Sequence, residues 1–110
     1  PSTAAVPPVA LPGPHQRANA AVALAVIERL RASGLAISES AVARGFAGVQ
    51  WPARVELVAQ NPHVVLDSAH NVPSAEALVA TLRECWPVPG TKRLVFAVSN
   101  DKQFAEMLAL

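Results

Sequence analysis

The chain has 110 residues, 52% of them hydrophobic and 15% charged, with a formal net charge of +1. That is the composition of a folded domain, or of pieces of two, and not of a disordered tail; the near-neutral balance excludes a dedicated nucleic-acid surface, which needs a clustered basic stripe. The single cysteine, Cys85, excludes an internal disulfide, and the longest apolar run, Ala20 to Ile27, is too short to cross a bilayer. No charged segment followed by an apolar core marks a signal peptide at the start. The chain opens on Pro1, not Met, and Leu110 falls inside an expected helix, so a piece of a longer protein is expected. With 22 Ala and 15 Val against three Phe, two Trp and no Tyr, packing falls to small and β-branched side chains.

Five prolines in residues 1–14 (Pro1, Pro7, Pro8, Pro12, Pro14) withhold backbone donors, so this stretch reads as linker, with Val9-Ala10-Leu11 as the end of a strand. A helix follows from His15 or Gln16 to about Ala32, with Val22, Val26 and Leu30 at four-residue spacing, and Gly34 ends it. Almost every position from Ala20 to Ile27 is apolar, which predicts a helix packed on more than one side. A second helix is expected from Ser38 through Val42 and Phe46 to about Gly48. The character changes near Trp51-Pro52, the expected domain boundary. Val55-Glu56-Leu57-Val58 alternates like a strand, Asn61-Pro62 marks a turn, and His63 to Leu66 reads as a strand covered on both faces. Pro73-Ser74 opens a third helix carrying Leu78, Leu82 and Trp86, closed by the turn Pro87-Val88-Pro89-Gly90. Leu94 to Val98 reads as a further buried strand and Asp101 to Leu110 as a fourth helix. Strand, helix, strand, helix from residue 63 predicts an α/β fold with a βαβ unit and a parallel sheet.

Ligands of open α/β sheets bind beyond the carboxyl ends of the strands, and two polar loops take that place here: Asp67-Ser68-Ala69-His70-Asn71 and Ser99-Asn100-Asp101-Lys102. An aspartate at a strand end can accept two ribose hydroxyls, and His70 with Asn71 can donate to phosphate or carboxylate oxygens. The same Asp67 and Asn71 could equally cap the helix and close the turn, and position alone does not separate the two readings. Arg54 could meet a phosphate with its fork, or be a solvated or salt-bridged arginine. His15, His63 and His70 lack metal-ligand spacing, so no metal site is expected, and Cys85 reads as a buried small hydrophobe. No glycine-rich phosphate loop of the form GxxxxGK(S/T) occurs.

Four segments in register, Leu11-Pro12-Gly13-Pro14-His15-Gln16, Asn19-Ala20-Ala21, Trp51-Pro52-Ala53-Arg54 and Asp67-Ser68-Ala69-His70-Asn71, followed by the Ser99-Asn100-Asp101-Lys102 loop, give the chain a family likeness. It resembles the ATP-dependent Mur ligase superfamily, and within it the folylpolyglutamate synthase/dihydrofolate synthase branch, with its LPGxHQxxNA, PGR and DxAHN motifs. The resemblance implies that residues 1–50 are the tail of the central ATPase domain and residues 51–110 the first part of a Rossmann-like, parallel-sheet C-terminal (glutamate ligase) domain. In that family the nucleotide is caught between the two domains. The implied reaction activates a carboxylate with ATP to an acyl phosphate, which the amine of an incoming amino acid attacks. The implied partners are the small molecules folate, L-glutamate and ATP, with no nucleic acid and no membrane, in the cytoplasm. Mg²⁺ is the implied cofactor beside ATP, its ligands upstream of this chain together with the phosphate loop.

By the same resemblance Asn19 contacts the adenine, Arg54 reaches the phosphates, Asp67 holds the ribose, and His70 is the catalytic residue on the nucleotide and glutamate side. Some positions depart from the pattern: Ala53 stands for the glycine of PGR, Ser68 for a common glycine, proline comes one residue late at Pro73, and Asp101-Lys102-Gln103 replaces DKD. The chain by itself is expected to lack ligase activity. Other Mur-type ligases, of peptidoglycan precursor or cyanophycin synthesis, share the nucleotide residues, and a non-catalytic α/β nucleotide-binding module fits the composition equally. An unpaired apolar helix from Ala20 to Leu30 would expose a large patch, which predicts self-association.

Overall fold

A computed structural model describes residues 6–87 and 89–110. The chain divides into two compact units, Pro1–Pro52 and Ala53–Leu110. The expectations that touch residues 1–5 and Val88 lie outside the described residues.

In the first unit, α1 spans Pro14–Ala32 and α2 spans Glu39–Gly48. Pro14 sits in the first turn of α1, where its missing N–H costs nothing, and Gly13 precedes it at φ 104. The helix ends in a Schellman arrangement: Gly34 (φ 101) donates its N–H to the Arg31 carbonyl at 2.9 Å, and Leu35 donates to Leu30 at 3.1 Å. Ser38 caps α2 by accepting the Ala41 N–H at 3.1 Å. Arg31 ties the two helices together, donating Nε to the Ile37 carbonyl (2.7 Å) and a terminal nitrogen to Glu39 (2.5 Å). The buried residues are Gln16, Ala20 and Leu24 of α1 and Val42 of α2. Packing of α1 on several sides is not what forms: Val22 is 66% exposed and Val26 53%, because among the described residues of this unit one short helix is the only regular partner. Val9-Ala10-Leu11 is not a strand; the Ala10 N–H bonds instead to the Phe46 carbonyl at the end of α2 (3.0 Å).

In the second unit, β1 (Glu56–Gln60) and β2 (His63–Leu66) form an antiparallel hairpin through a cis Asn61–Pro62 bond. Glu56 pairs with Leu66 and Gln60 with His63; an irregularity between Leu57 and Ala59 sets Val58 outside the register. Helix α3 (Val72–Cys85) and the short α4 (Phe104–Leu108) follow and touch each other. Val55, Ala75, Thr81 and Met107 make the small core, with the Thr81 hydroxyl turned back to the Ala77 carbonyl (2.8 Å).

The unit holds helices and a sheet, but the parallel βαβ pairing expected from residue 63 does not form among the described residues. The one sheet has two antiparallel strands, and Leu94 to Val98 belongs to none, with Val95 98% exposed. An apolar run becomes a buried strand only where a ladder partner and two covering layers exist, and the described unit offers neither. For the same reason β2 is not covered on both faces: only Val65 of its four residues is half-buried. Cys85 is exposed at the end of α3, not buried, because the four-residue stripe of Leu78, Leu82 and Trp86 faces the unit instead.

Candidate functional site

The loop after β2 is built by its own backbone bonds. Asp67 spends both carboxylate oxygens on backbone N–H groups: Oδ2 accepts from Val55 at 2.8 Å and Oδ1 from Ala69 at 2.7 Å. The Ser68 N–H donates to the Ala53 carbonyl (3.0 Å), so the entry to β1 is pinned to the exit from β2. Each Asp67 oxygen has a further lone pair, so closing this loop and holding a ligand hydroxyl are compatible roles.

His70 donates from Nδ1 to the Ser68 carbonyl (3.1 Å); a carbonyl can only accept, which places a proton on Nδ1. In the neutral ring Nε2 is then a free acceptor on an exposed side chain. Behind it, Asn71 and Ser74 form a reciprocal capping box for α3: Ser74 N–H to Asn71 Oδ1 at 2.9 Å, and Asn71 N–H to Ser74 Oγ at 3.1 Å. Ser74 Oγ also accepts the His70 N–H at 3.0 Å. Asn71 is thus the cap of the helix, and Ser74 sits three residues later in the box.

Arg54 lies between Ala53 (φ 55) and Val55 (φ 51), both in the left-handed region. The Ala53 N–H donates to Glu56 Oε2 at 2.8 Å. The Arg54 side chain is half-buried and takes part in no hydrogen bond or ion pair among the described residues, so the salt-bridged reading does not hold. In the other unit, Asn19 is exposed on α1 and donates Nδ2 to Oε1 of the buried Gln16 (3.2 Å), whose amide nitrogen contacts His15 Nε2 (3.0 Å). The fold of the second unit therefore brings Arg54, Asp67 and His70 to one pair of linked loops, through Ala53–Ser68 and Val55–Asp67.

The supporting bonds of three residues, Gln16, Glu56 and Ser74, are seen only in the structure. Each is a polar residue two to four positions from a candidate residue, within local hydrogen-bond reach, and that spacing was the available signal.

The second polar loop is self-contained. Asp101 accepts from Ser99 Oγ at 2.5 Å and pairs with Lys102 Nζ at 2.9 Å, while the Lys102 N–H closes the turn on the Ser99 carbonyl. The Ser99 hydroxyl first, and Lys102 second, lower the Asp101 carboxyl to about 2. A lowered carboxylate stabilises its loop above the ordinary carboxylate range and loses that contribution as pH falls through about 2. The Asp101 side-chain carbonyl carbon is expected to titrate near 2 by NMR and to move up toward 3.8 in Ser99→Ala. An unchanged midpoint in that variant would remove the hydroxyl as the cause.

Among the described residues no three His, Cys, Asp or Glu side chains gather as a metal group, and no helix is long and apolar enough to cross a membrane.

Residues 53–110 match the family model described as Mur ligase, glutamate ligase domain. The dihydrofolate synthase/folylpolyglutamate synthase of Bacillus subtilis is 36% identical over 97 residues, covering 87% of this chain and 22% of that protein. Its Escherichia coli counterpart is 41% identical over 91 residues, covering 83% and 21%. A crystal structure of a bifunctional folylpolyglutamate synthase/dihydrofolate synthase with Mn, AMPPNP and L-glutamate bound superposes with a TM-score of 0.74 at 36% identity, over 99% of this chain and 24% of that one. The chain spans about a fifth of the length of these curated relatives. With the glutamate ligase model matching more than half of its residues, the chain belongs to the Mur ligase family.

Proposed function

We propose that the chain is part of an ATP-dependent carboxylate–amine ligase that adds L-glutamate to folate, with an acyl phosphate as intermediate. The observation that carries this reading is the likeness over most of the chain to folylpolyglutamate/dihydrofolate synthases. Within it, residues 1–50 are the tail of the central ATPase domain and residues 51–110 the beginning of the glutamate ligase domain. The ligase works in the cytoplasm on small molecules.

The second unit fits a nucleotide. Among the described residues Arg54 is a half-buried cation without a partner, Asp67 keeps one lone pair on each oxygen, and His70 Nε2 makes no bond. Arg54 then takes the phosphates, Asp67 the ribose hydroxyls, and His70 orients and exchanges protons with groups on the glutamate side; Asn19, steered by Gln16, takes the adenine. Mg²⁺ supplies charge neutralisation during phosphoryl transfer, and its ligands belong to the part of the ligase that precedes this segment.

The test is ADP formation by the whole ligase. It is expected to require ATP, L-glutamate and a reduced folate or dihydropteroate together, while the 110-residue chain alone releases none. Turnover with a peptidoglycan precursor in place of folate would overturn the folate assignment in favour of another Mur-type ligase. The apolar face of α1, with Val22, Val26 and Leu30 exposed, is expected to make the isolated chain associate with itself. Light scattering that gives a monomer mass at high protein concentration would contradict this.

A further inference from the structure

Two non-glycine exceptions flank the candidate phosphate ligand, one on each side. Ala53 and Val55 both adopt left-handed backbone, and for the β-branched Val55 that conformation is a marked outlier. Such geometry persists only where the surroundings over-determine it. Here three bonds do so: Glu56 Oε2 from the Ala53 N–H, Asp67 Oδ2 from the Val55 N–H, and the Ala53 carbonyl from the Ser68 N–H. Val55, only 2% exposed, anchors the turn in the core. Both carboxylates spend oxygens on the backbone on either side of Arg54 and neither pairs with its guanidinium. The charge that would ordinarily quench the arginine is used instead to fix its backbone.

We propose that Glu56 is a positioning residue: together with Asp67 it holds the Ala53–Val55 turn in left-handed form and thereby presents Arg54, unpaired, to an anion of the pyrophosphate class. The inference rests on reading Arg54 as a phosphate contact. The alanine at position 53 makes the clamp necessary, since glycine would take the same backbone at no steric cost.

The experiment is ¹H–¹⁵N NMR of the chain, following the Ala53 amide and the Arg54 Nε resonance, with inorganic pyrophosphate as the probe. In the wild type the Arg54 Nε signal moves on titration. In Glu56→Ala the half-saturating concentration rises about fivefold or more and the Ala53 amide exchanges faster by a similar factor, as expected for one charge-assisted bond lost. Glu56→Gln keeps an oxygen acceptor and restores both readouts. In an Ala53→Gly background the loss caused by Glu56→Ala shrinks, a result that a merely space-filling Glu56 would not give. A Glu56→Ala chain that titrates and exchanges like the wild type overturns the proposal. A wild-type Arg54 Nε that ignores pyrophosphate overturns the phosphate reading of Arg54 itself. In that case Ala53 exchange, measured without pyrophosphate in Glu56→Ala and Glu56→Gln, still decides whether the clamp exists.

Discussion

Replacing Arg54 by alanine is expected to lower kcat/KM for ATP in the whole ligase by about 10²–10³-fold, the effect typical of removing one preorganised donor from developing phosphoryl charge. The expectation follows from a half-buried arginine that no group among the described residues neutralises. For the same reason the substitution should leave the fold alone, with a stability change within about 0.5 kcal/mol, because no hydrogen bond or ion pair of the described residues is lost. Arg54→Lys keeps a charge but not the planar fork, so it should recover part of the activity and remain about tenfold below wild type. The decisive comparison is steady-state kinetics beside thermal melting of the same variants. Activity within twofold of wild type in Arg54→Ala would remove Arg54 from the nucleotide site; a large fall in melting temperature would recast it as a structural residue.

The helices were legible wherever local chemistry decides them. Gly34 ends α1, which begins at Pro14, just before the expected start, Ser38 caps α2, and the Asn71–Ser74 pair caps α3, all through contacts within a few residues. What failed were statements about burial. Val22, Val26, Leu94 and Val95 carry apolar side chains at spacings that predict a core, yet stand exposed, because burial depends on partners that periodicity cannot specify. The α/β class holds, but the parallel pairing does not form among the described residues: local pattern marks an extended apolar run at 94–98, while pairing is a long-range fact. At the candidate site, Asp67 and His70 were readable from their place after a strand. Of the two readings of Asp67, turn closure is what forms: each carboxylate oxygen accepts one backbone N–H and keeps a second lone pair. The spacing of Glu56 put it within local reach, but its role depends on left-handed backbone at Ala53, a position where an alanine signals nothing of the kind.

Asp67→Asn is expected to destabilise the second unit by about 2–3 kcal/mol, as charge-assisted bonds to backbone N–H groups are each worth roughly 1.5–3 kcal/mol and the side chain is half-buried. The amide is isosteric but keeps only one acceptor. If its oxygen faces Val55, its NH₂ meets the Ala69 N–H, and if it faces Ala69, the NH₂ meets Val55; either way two donors confront each other. In a unit this small the loss corresponds to a fall of about 10 °C or more in melting temperature, readable by calorimetry. Melting within 2 °C of wild type would show that the two bonds are not made in solution. The same bond holds Val55, so Asp67→Asn also loosens the turn that carries Arg54, and the two sites are not independent. Combined with Arg54→Ala, the loss in kcat/KM should be smaller than the product of the separate losses, since an arginine already misplaced has less to lose. Strict multiplicativity, measured below the melting range of both variants, would mean that Asp67 meets the nucleotide without helping to place Arg54. A clear shortfall would tie the Asp67 carboxylate and the Arg54 guanidinium into one backbone-linked unit.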